Sequence, residues 1–200
     1  MKILVCMWYN EDIKEYADIF RKINERYCDQ HNYDFFYSNK KYTDKPPSFN
    51  RLHLLKELLE KGVEGYEYDY YVWIDADAHF CNNNRLEGYI ENHIDKDFIW
   101  SGDKTPNINC GVFIMKNTDF SNRFLDKWIK TRKTTNKDWW EQGVLTKMFL
   151  DNDLNIKEHS FVFRYGMLQS FTDKSNNLIY HMAGTSKEDR IKYSKSKFEI

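Results

Sequence analysis

Unbroken apolar runs and helix-spaced apolar stripes take turns along the first half of this chain. Ile3–Trp8 is a continuous apolar run and predicts a buried first strand. Asn10 is placed to cap the helix after it, where Ile13, Tyr16, Ala17, Phe20, Ile23 and Tyr27 recur at helical spacing. Tyr33–Tyr37 predicts a second strand. A polar loop with Pro46 and Pro47 then leads to Ser48, a candidate cap for a helix carrying Leu52, Leu55, Leu58 and Leu59 on one face and ending at Gly62. Tyr70–Ile74 is β-branched or aromatic throughout and predicts a strand covered on both faces, as in a parallel α/β sheet.

The second half is less regular. Leu86, Ile90 and Ile94 predict a short helix, and DFIWSG and Cys110–Met115 predict two further strands. Phe120, Phe124, Leu125, Trp128 and Ile129 mark another helix. Residues 138–150 predict one more, with Val144, Leu145, Met148 and Phe149 inward. FVFRY and LIYHM read as short late strands, and from Lys187 onward the chain is a charged tail. No repeat, low-complexity stretch or composition break marks a linker, so the pattern predicts one α/β, Rossmann-like domain.

The strand at Tyr70–Ile74 ends on Asp75 and Asp77. Open α/β sheets collect ligands at the carboxyl ends of their strands. Two carboxylates one residue apart repel each other unless a positive group sits beside them, and a divalent cation is the simplest candidate. Asp-x-Asp alone is common in surface turns; its position directly after a buried strand is what gives it weight. Mg²⁺ and Mn²⁺ take carboxylate oxygens and leave positions for water and phosphates.

Composition narrows the classes. Over 200 residues the net charge is −1 although 30% of residues are charged, which argues against a broad nucleic-acid surface. With 41% hydrophobic and 17% aromatic residues the chain can bury a sizeable core. Cys6, Cys28, Cys81 and Cys110 form no CxxC pair and read as reduced thiols, so a soluble intracellular, cytoplasmic setting is expected. The first apolar run is too short for a membrane span and lacks the parts of a signal peptide.

Six segments, in order, resemble the metal-dependent GT-A glycosyltransferases, and glycosyltransferase family 34 in particular, which includes plant xylosyltransferases and fungal galactosyl- and mannosyltransferases. They are YCDQHNYDFFY, SFNRLHLLKELL, YVWIDADAHF, NINCGVFIMKN, WWEQGVL and YHMAG, spread from about Ile23 to Gly184. The resemblance implies a single GT-A domain with a mixed central sheet flanked by helices. Its nucleotide-binding half would cover about 1–105, its acceptor side about 106–185, and the tail 186–200. Trp140 stands where the family usually has the first of two acidic residues.

By the same resemblance, Asp77, with Asp75 and His181, would hold Mn²⁺ or Mg²⁺. Asp75 would also approach the donor sugar, as would Arg51, and Gly184 and Lys187 would lie at the diphosphate. Cys6, Met7 and Trp8 would sit near the uracil of a UDP-sugar. Asn109, Glu141 and Gln142 would line the cleft for a glycan acceptor and act with Asp75 in catalysis. The implied reaction is transfer of a hexose or related sugar from a nucleotide-diphosphate donor to a glycan hydroxyl, with retention. An inverting route would need a base, for which Glu141 and Asp138 are candidates. Two other functions stay open at this level: a sugar- or nucleotide-binding protein without turnover, and a haloacid-dehalogenase-like sugar phosphatase, which also sets Asp-x-Asp after an apolar strand. Oligomeric state is not legible in the sequence.

Overall fold

A computed structural model describes residues 1–104, 107–131, 140–173 and 177–197. In chain order the elements are β1 (Ile3–Trp8), α1 (Lys14–His31), β2 (Asp34–Ser38), α2 (Asn50–Lys61), β3 (Tyr70–Ile74), β4 (Ala78–Phe80), α3 (Glu87–Ile90), β5 (Phe98–Gly102), β6 (Ile108–Lys116), α4 (Asp119–Lys130), α5 (Trp140–Leu150), β7 (Ser160–Phe163), β8 (Gln169–Ser170), β9 (Ile179–His181) and α6 (Lys187–Lys197). Six strands form the main sheet in the order β2-β1-β3-β6-β5-β7, and a small sheet runs β4-β9-β8.

The main sheet is mixed. β1 pairs parallel with β2 and β3, whereas β6 runs antiparallel between β3 and β5. Alternate residues of a strand face opposite sides. Ile3, Val5 and Met7 of β1 join Val72, Ile74 and Tyr16 in one core, and Leu4, Cys6 and Trp8 join Tyr71, Trp73, Leu55 and Trp128 in the other. Both sides are covered, so both sets of side chains are apolar, which accounts for the unbroken runs.

Several local details differ from the sequence expectations. Asn10 heads a short 3₁₀ turn, and its amide reaches the Asp12 carboxylate in place of capping α1. Ser48 lies inside another 3₁₀ turn before α2 and turns its hydroxyl toward Glu141. Gly62 does end α2, with φ +64°, and a side chain there would collide with the Tyr66 carbonyl. The helix after Leu86 stops at Ile90, leaving Ile94 exposed. In α5, Val144, Leu145 and Met148 are buried and Phe149 is half-buried. The charged tail is helical from Lys187 to Lys197 and lies beside α1. Among the described residues no helix is long and apolar enough to cross a membrane.

The passage from β3 to β4 places the acidic pair. The Asp75 N–H donates to the Gly111 carbonyl at 2.8 Å, ending the pairing of β3 with β6. The Ala78 N–H then returns to the Asp75 carbonyl at 2.9 Å, closing a tight turn that contains Asp77. From that turn the chain leaves the main sheet and pairs, as β4, with β9, Ala78 opposite His181. Asn24 of α1 covers the free edge of β4, donating to the Ala78 carbonyl and accepting from the Phe80 N–H. This edge is thereby satisfied by a side chain.

Candidate metal and ligand site

The β4–β9 register brings His181 onto the two aspartates. One ligand atom each from Asp75, Asp77 and His181 lies within 4.8 Å of the other two. His181 Nε2 is 3.2 Å from Asp77 Oδ1 and 3.9 Å from Asp75 Oδ2. The other ring nitrogen, Nδ1, faces Gln169 Oε1 at 2.8 Å; with its proton donated there, Nε2 is left to serve as a ligand.

Gly111 makes room for this approach. A Cβ at that position would meet His181 Cε1 at 2.2 Å and Asp75 Oδ2 at 2.9 Å, so any side chain there would separate the two. Sequence reasoning noted Gly111 only as part of a motif. The need for glycine is steric.

Asp75 is anchored through its other oxygen. Oδ1 accepts from Trp73 Nε1 at 2.8 Å and from Arg51 Nη1 at 2.9 Å, which leaves Oδ2 on the His181 side. Arg51 is 6% exposed and fully engaged: Nη1 also reaches the Cys110 carbonyl, Nε the Ser48 carbonyl, and Nη2 the Glu141 carboxylate. Glu141 is 3% exposed, and its second oxygen accepts from Ser48. Arg51, expected at the donor, and Glu141, expected at the acceptor, are bonded to each other, and Arg51 also holds Asp75.

Burial and the Asp77 charge push the Asp75 carboxyl up from its usual value, against the pull of Arg51 and His181. Asp77 is buried too, yet His181 and Arg190 hold its pKa down to about 2. Burial would lower the His181 value, but Asp77 and Asp75 outweigh it and raise it. A proton on Nε2 would lie between His181 and Asp77 Oδ1, 3.2 Å apart. A divalent cation would take the place of that proton. Two carboxylates and one imidazole suit Mn²⁺ well and Mg²⁺ less so.

Two cavities meet at Asp75. One, of about 370 Å³, is bounded by Trp8, Tyr16, Trp73, Asp75, Asp77 and Arg190 among others. The second, of about 460 Å³, is bounded by Asp103, Asn109, Glu141, Gln142, Phe171, Ala183 and Gly184. Ser48, Arg51, Asp75 and Trp140 belong to both walls.

The other expected residues divide between cleft and core. Trp8 lines the first cavity, while Cys6 and Met7 are wholly buried in the two cores and border neither cavity. Asn109 Oδ1 accepts from the Gly111 N–H at 2.8 Å, and Gln142 Oε1 accepts from the Cys110 N–H at 3.3 Å. Gly184, with φ +75°, has open space where a side chain would stand. Lys187 Nζ is 2.5 Å from the Asp12 carbonyl and borders neither cavity. Asp138 lies outside the described residues. Sequence reasoning missed Gln169, Tyr16 and Arg190, the last an ordinary-looking residue of the charged tail. All four cysteines are free.

The model of the galactosyl transferase GMA12/MNN10 family matches residues 82–195, a segment that begins after Asp77 and includes Asn109, Gln142, His181 and Gly184. Galactomannan galactosyltransferase 1 from Cyamopsis tetragonoloba is 26% identical over 161 residues, 73% of this chain and 35% of that protein. This chain thus spans about a third of the length of that curated relative. The crystal structure of a glycosyltransferase involved in glycosylation of the major capsid of PBCV-1 superposes with a TM-score of 0.80 at 17% identity, covering 98% of this chain and all of that one. Galactosyltransferase LgtC, in complex with donor and acceptor sugar analogues, gives 0.62 at 11% identity, covering 98% and 97%. The fold is that of the GT-A glycosyltransferases.

Proposed function

This chain belongs to the galactosyl transferase GMA12/MNN10 family, and on that premise we propose that it transfers a hexose or related sugar from a nucleotide-diphosphate donor to a glycan hydroxyl. A UDP-sugar is the favoured donor. Asp75, Asp77 and His181 would hold Mn²⁺, or Mg²⁺, and that cation would supply positive charge to a departing diphosphate. One observation carries the reading: the donor atoms of these three residues gather within 4.8 Å beside Asp75, where the two cavities meet.

The base of the nucleotide belongs in the cavity next to Trp8, whose indole offers an aromatic wall, and its phosphates would reach toward Gly184 on the wall of the second cavity, where nothing fills the place of a side chain. The acceptor belongs in the other, among Asn109, Gln142 and Phe171, where amides can orient sugar hydroxyls and an aromatic ring can stack on a sugar face. Within one catalytic domain, the expected nucleotide half of about 1–105 and acceptor half of about 106–185 would share both cavities, since Trp140 and Arg190 line the first and Ser48, Arg51 and Asp103 the second. Arg51 and Glu141 act from behind, fixing Asp75 rather than touching sugar.

Retention of configuration fits these residues better than inversion. An inverting reaction needs a base facing the acceptor, and of the two expected candidates Glu141 has both oxygens bonded to Ser48 and Arg51, which leaves Asp138, outside the described residues, and Asp103 on the wall of the second cavity as the carboxylates such a route would call on. In the retaining route the departing phosphate accepts the acceptor's proton, so no side-chain base is required. Family membership favours this reading over the phosphatase alternative.

The test is a panel of UDP-, GDP- and other nucleotide sugars with Mn²⁺, read by thermal shift and donor hydrolysis. One donor class should raise the melting temperature only with the metal and be hydrolysed slowly without acceptor. Asp77→Asn should remove both effects. Metal-independent nucleotide binding, or an unaltered Asp77→Asn protein, would overturn the proposal. Binding without any hydrolysis or transfer would favour the non-enzymatic reading.

A further inference from the structure

We infer that Arg190 is a phosphate-binding residue held in reserve on Asp77, released to the donor diphosphate when a divalent cation takes over that carboxylate. This rests on the reading of the cleft as a metal and nucleotide site. It adds a residue from α6 that neither the sequence motifs nor the family match singles out.

Arg190 Nη2 lies 2.6 Å from Asp77 Oδ2, and the same nitrogen is 3.2 Å from the Met182 carbonyl. Its Nη1 makes a long contact of 3.4 Å with the Tyr16 hydroxyl, while Nε is buried and has no hydrogen-bond partner. The guanidinium therefore carries an unused donor in the wall of the smaller cavity. Among the described residues lining the two cavities, Arg51 and Arg190 are the basic ones. Arg51 is committed to Asp75, Glu141 and two backbone carbonyls, so it has no donor left for an anion. Lys187 is turned to the Asp12 carbonyl at the cleft rim. Arg190 is the cation that can change partners.

The charge balance at Asp77 gives the exchange its direction. Oδ1 faces His181 and Oδ2 faces Arg190, so the carboxylate is neutralised without a metal. A divalent ion bound by Asp77 draws on the same negative charge and weakens its attraction for Arg190. The diphosphate entering with the ion offers new oxygens, and a planar guanidinium fork matches phosphate oxygens better than a point charge does. The pair thus completes the neutralisation of Asp77, as Arg51 does for Asp75, next to the place a cation would take.

Two titrations on the intact protein separate this role from a structural one. Mn²⁺ alone is titrated into wild type and Arg190→Gln, and UDP is then titrated in saturating Mn²⁺, with thermal melts of both proteins. Arg190→Gln should bind Mn²⁺ about threefold more tightly, because a competing cation is gone, and UDP about tenfold more weakly. Arg190→Lys, which keeps the charge but not the fork, should fall between the two for UDP; it also serves if the Gln variant does not fold. UDP affinity equal to wild type, or loss of both affinities in step with a lower melting temperature, would overturn the inference. A wild-type protein that bound neither probe would bring down the underlying reading of the cleft.

Discussion

Gly111 and His181 are packed so closely that a single methyl group cannot be placed between them: a Cβ on Gly111 would stand 2.2 Å from His181 Cε1. The glycine sits in β6 next to the end of β3, so the sheet's antiparallel neighbour fixes how near the imidazole can come to Asp75. A residue without a side chain thus sets the spacing of the groups proposed to hold the cation.

Gly111→Ala should therefore damage the site more than the fold. Overpacking a tight interior costs about 1–3 kcal/mol. His181 and Asp75 are the groups that must yield, so Mn²⁺ affinity should fall at least about tenfold. Calorimetric Mn²⁺ titration beside urea melts checks both quantities.

His181 should make the proposed metal binding sensitive to pH. Its pKa is raised, burial being outweighed by Asp77 and Asp75, so protons compete with the cation above the ordinary histidine range. Mn²⁺ affinity should fall as pH drops through the raised value, by about tenfold per pH unit once His181 is mostly protonated. Without metal the sign reverses. The imidazolium–Asp77 bond contributes stability fully present below the unfolded histidine pKa, about 6.5, and lost as pH rises through the folded value. Melts with and without Mn²⁺, across neutrality, should show opposite trends.

Gln169 should matter although it ligates nothing. Its Oε1 fixes the His181 ring, while its Nε2 is buried without a partner. Gln169→Leu removes the acceptor without orphaning that amide nitrogen, and should weaken Mn²⁺ binding about tenfold with little change in the urea midpoint. Equal affinity in the two proteins would show that the ring needs no such support.

Glu141→Ala should act through stability. It leaves the buried Arg51 with Asp75 as its one carboxylate partner, and breaking a buried pair costs about 3–5 kcal/mol. Glu141→Gln keeps one oxygen for Arg51 and should be milder, retaining slow donor hydrolysis. Chemical denaturation of both variants, with hydrolysis assays, distinguishes support of Asp75 from direct work on the acceptor.

Much of this was readable in the chain. The apolar runs at β1, β3 and β6 forecast strands, β3 covered on both faces, and the alternation of strand and helix forecast a Rossmann-like α/β layer; the parallel surroundings expected of β3 hold on its β1 side, while on the other side β6 runs antiparallel. Local signals of that kind arise from burial and periodicity, which each segment carries itself. Capping was less legible. Asn10 and Ser48 had suitable side chains, yet Asp12 and Glu141 were better placed to take their hydrogen bonds. β4 and β8 are too short to carry a pattern, and they pair with β9, which comes last in the chain of the three.

By itself the sequence determined that two carboxylates would stand at the tip of a buried strand, because five apolar residues in a row must be covered and the acidic pair that follows them directly sits where that strand ends. Which groups would answer those carboxylates was decided only in three dimensions. His181, Arg190 and Gln169 are far from Asp75 and Asp77 in the chain and arrive through the pairing of β4 with β9 and the docking of α6 beside α1. Arg51 is claimed by Glu141 for the same reason: a buried cation takes the nearest buried anion, and nearness is a property of the packed fold.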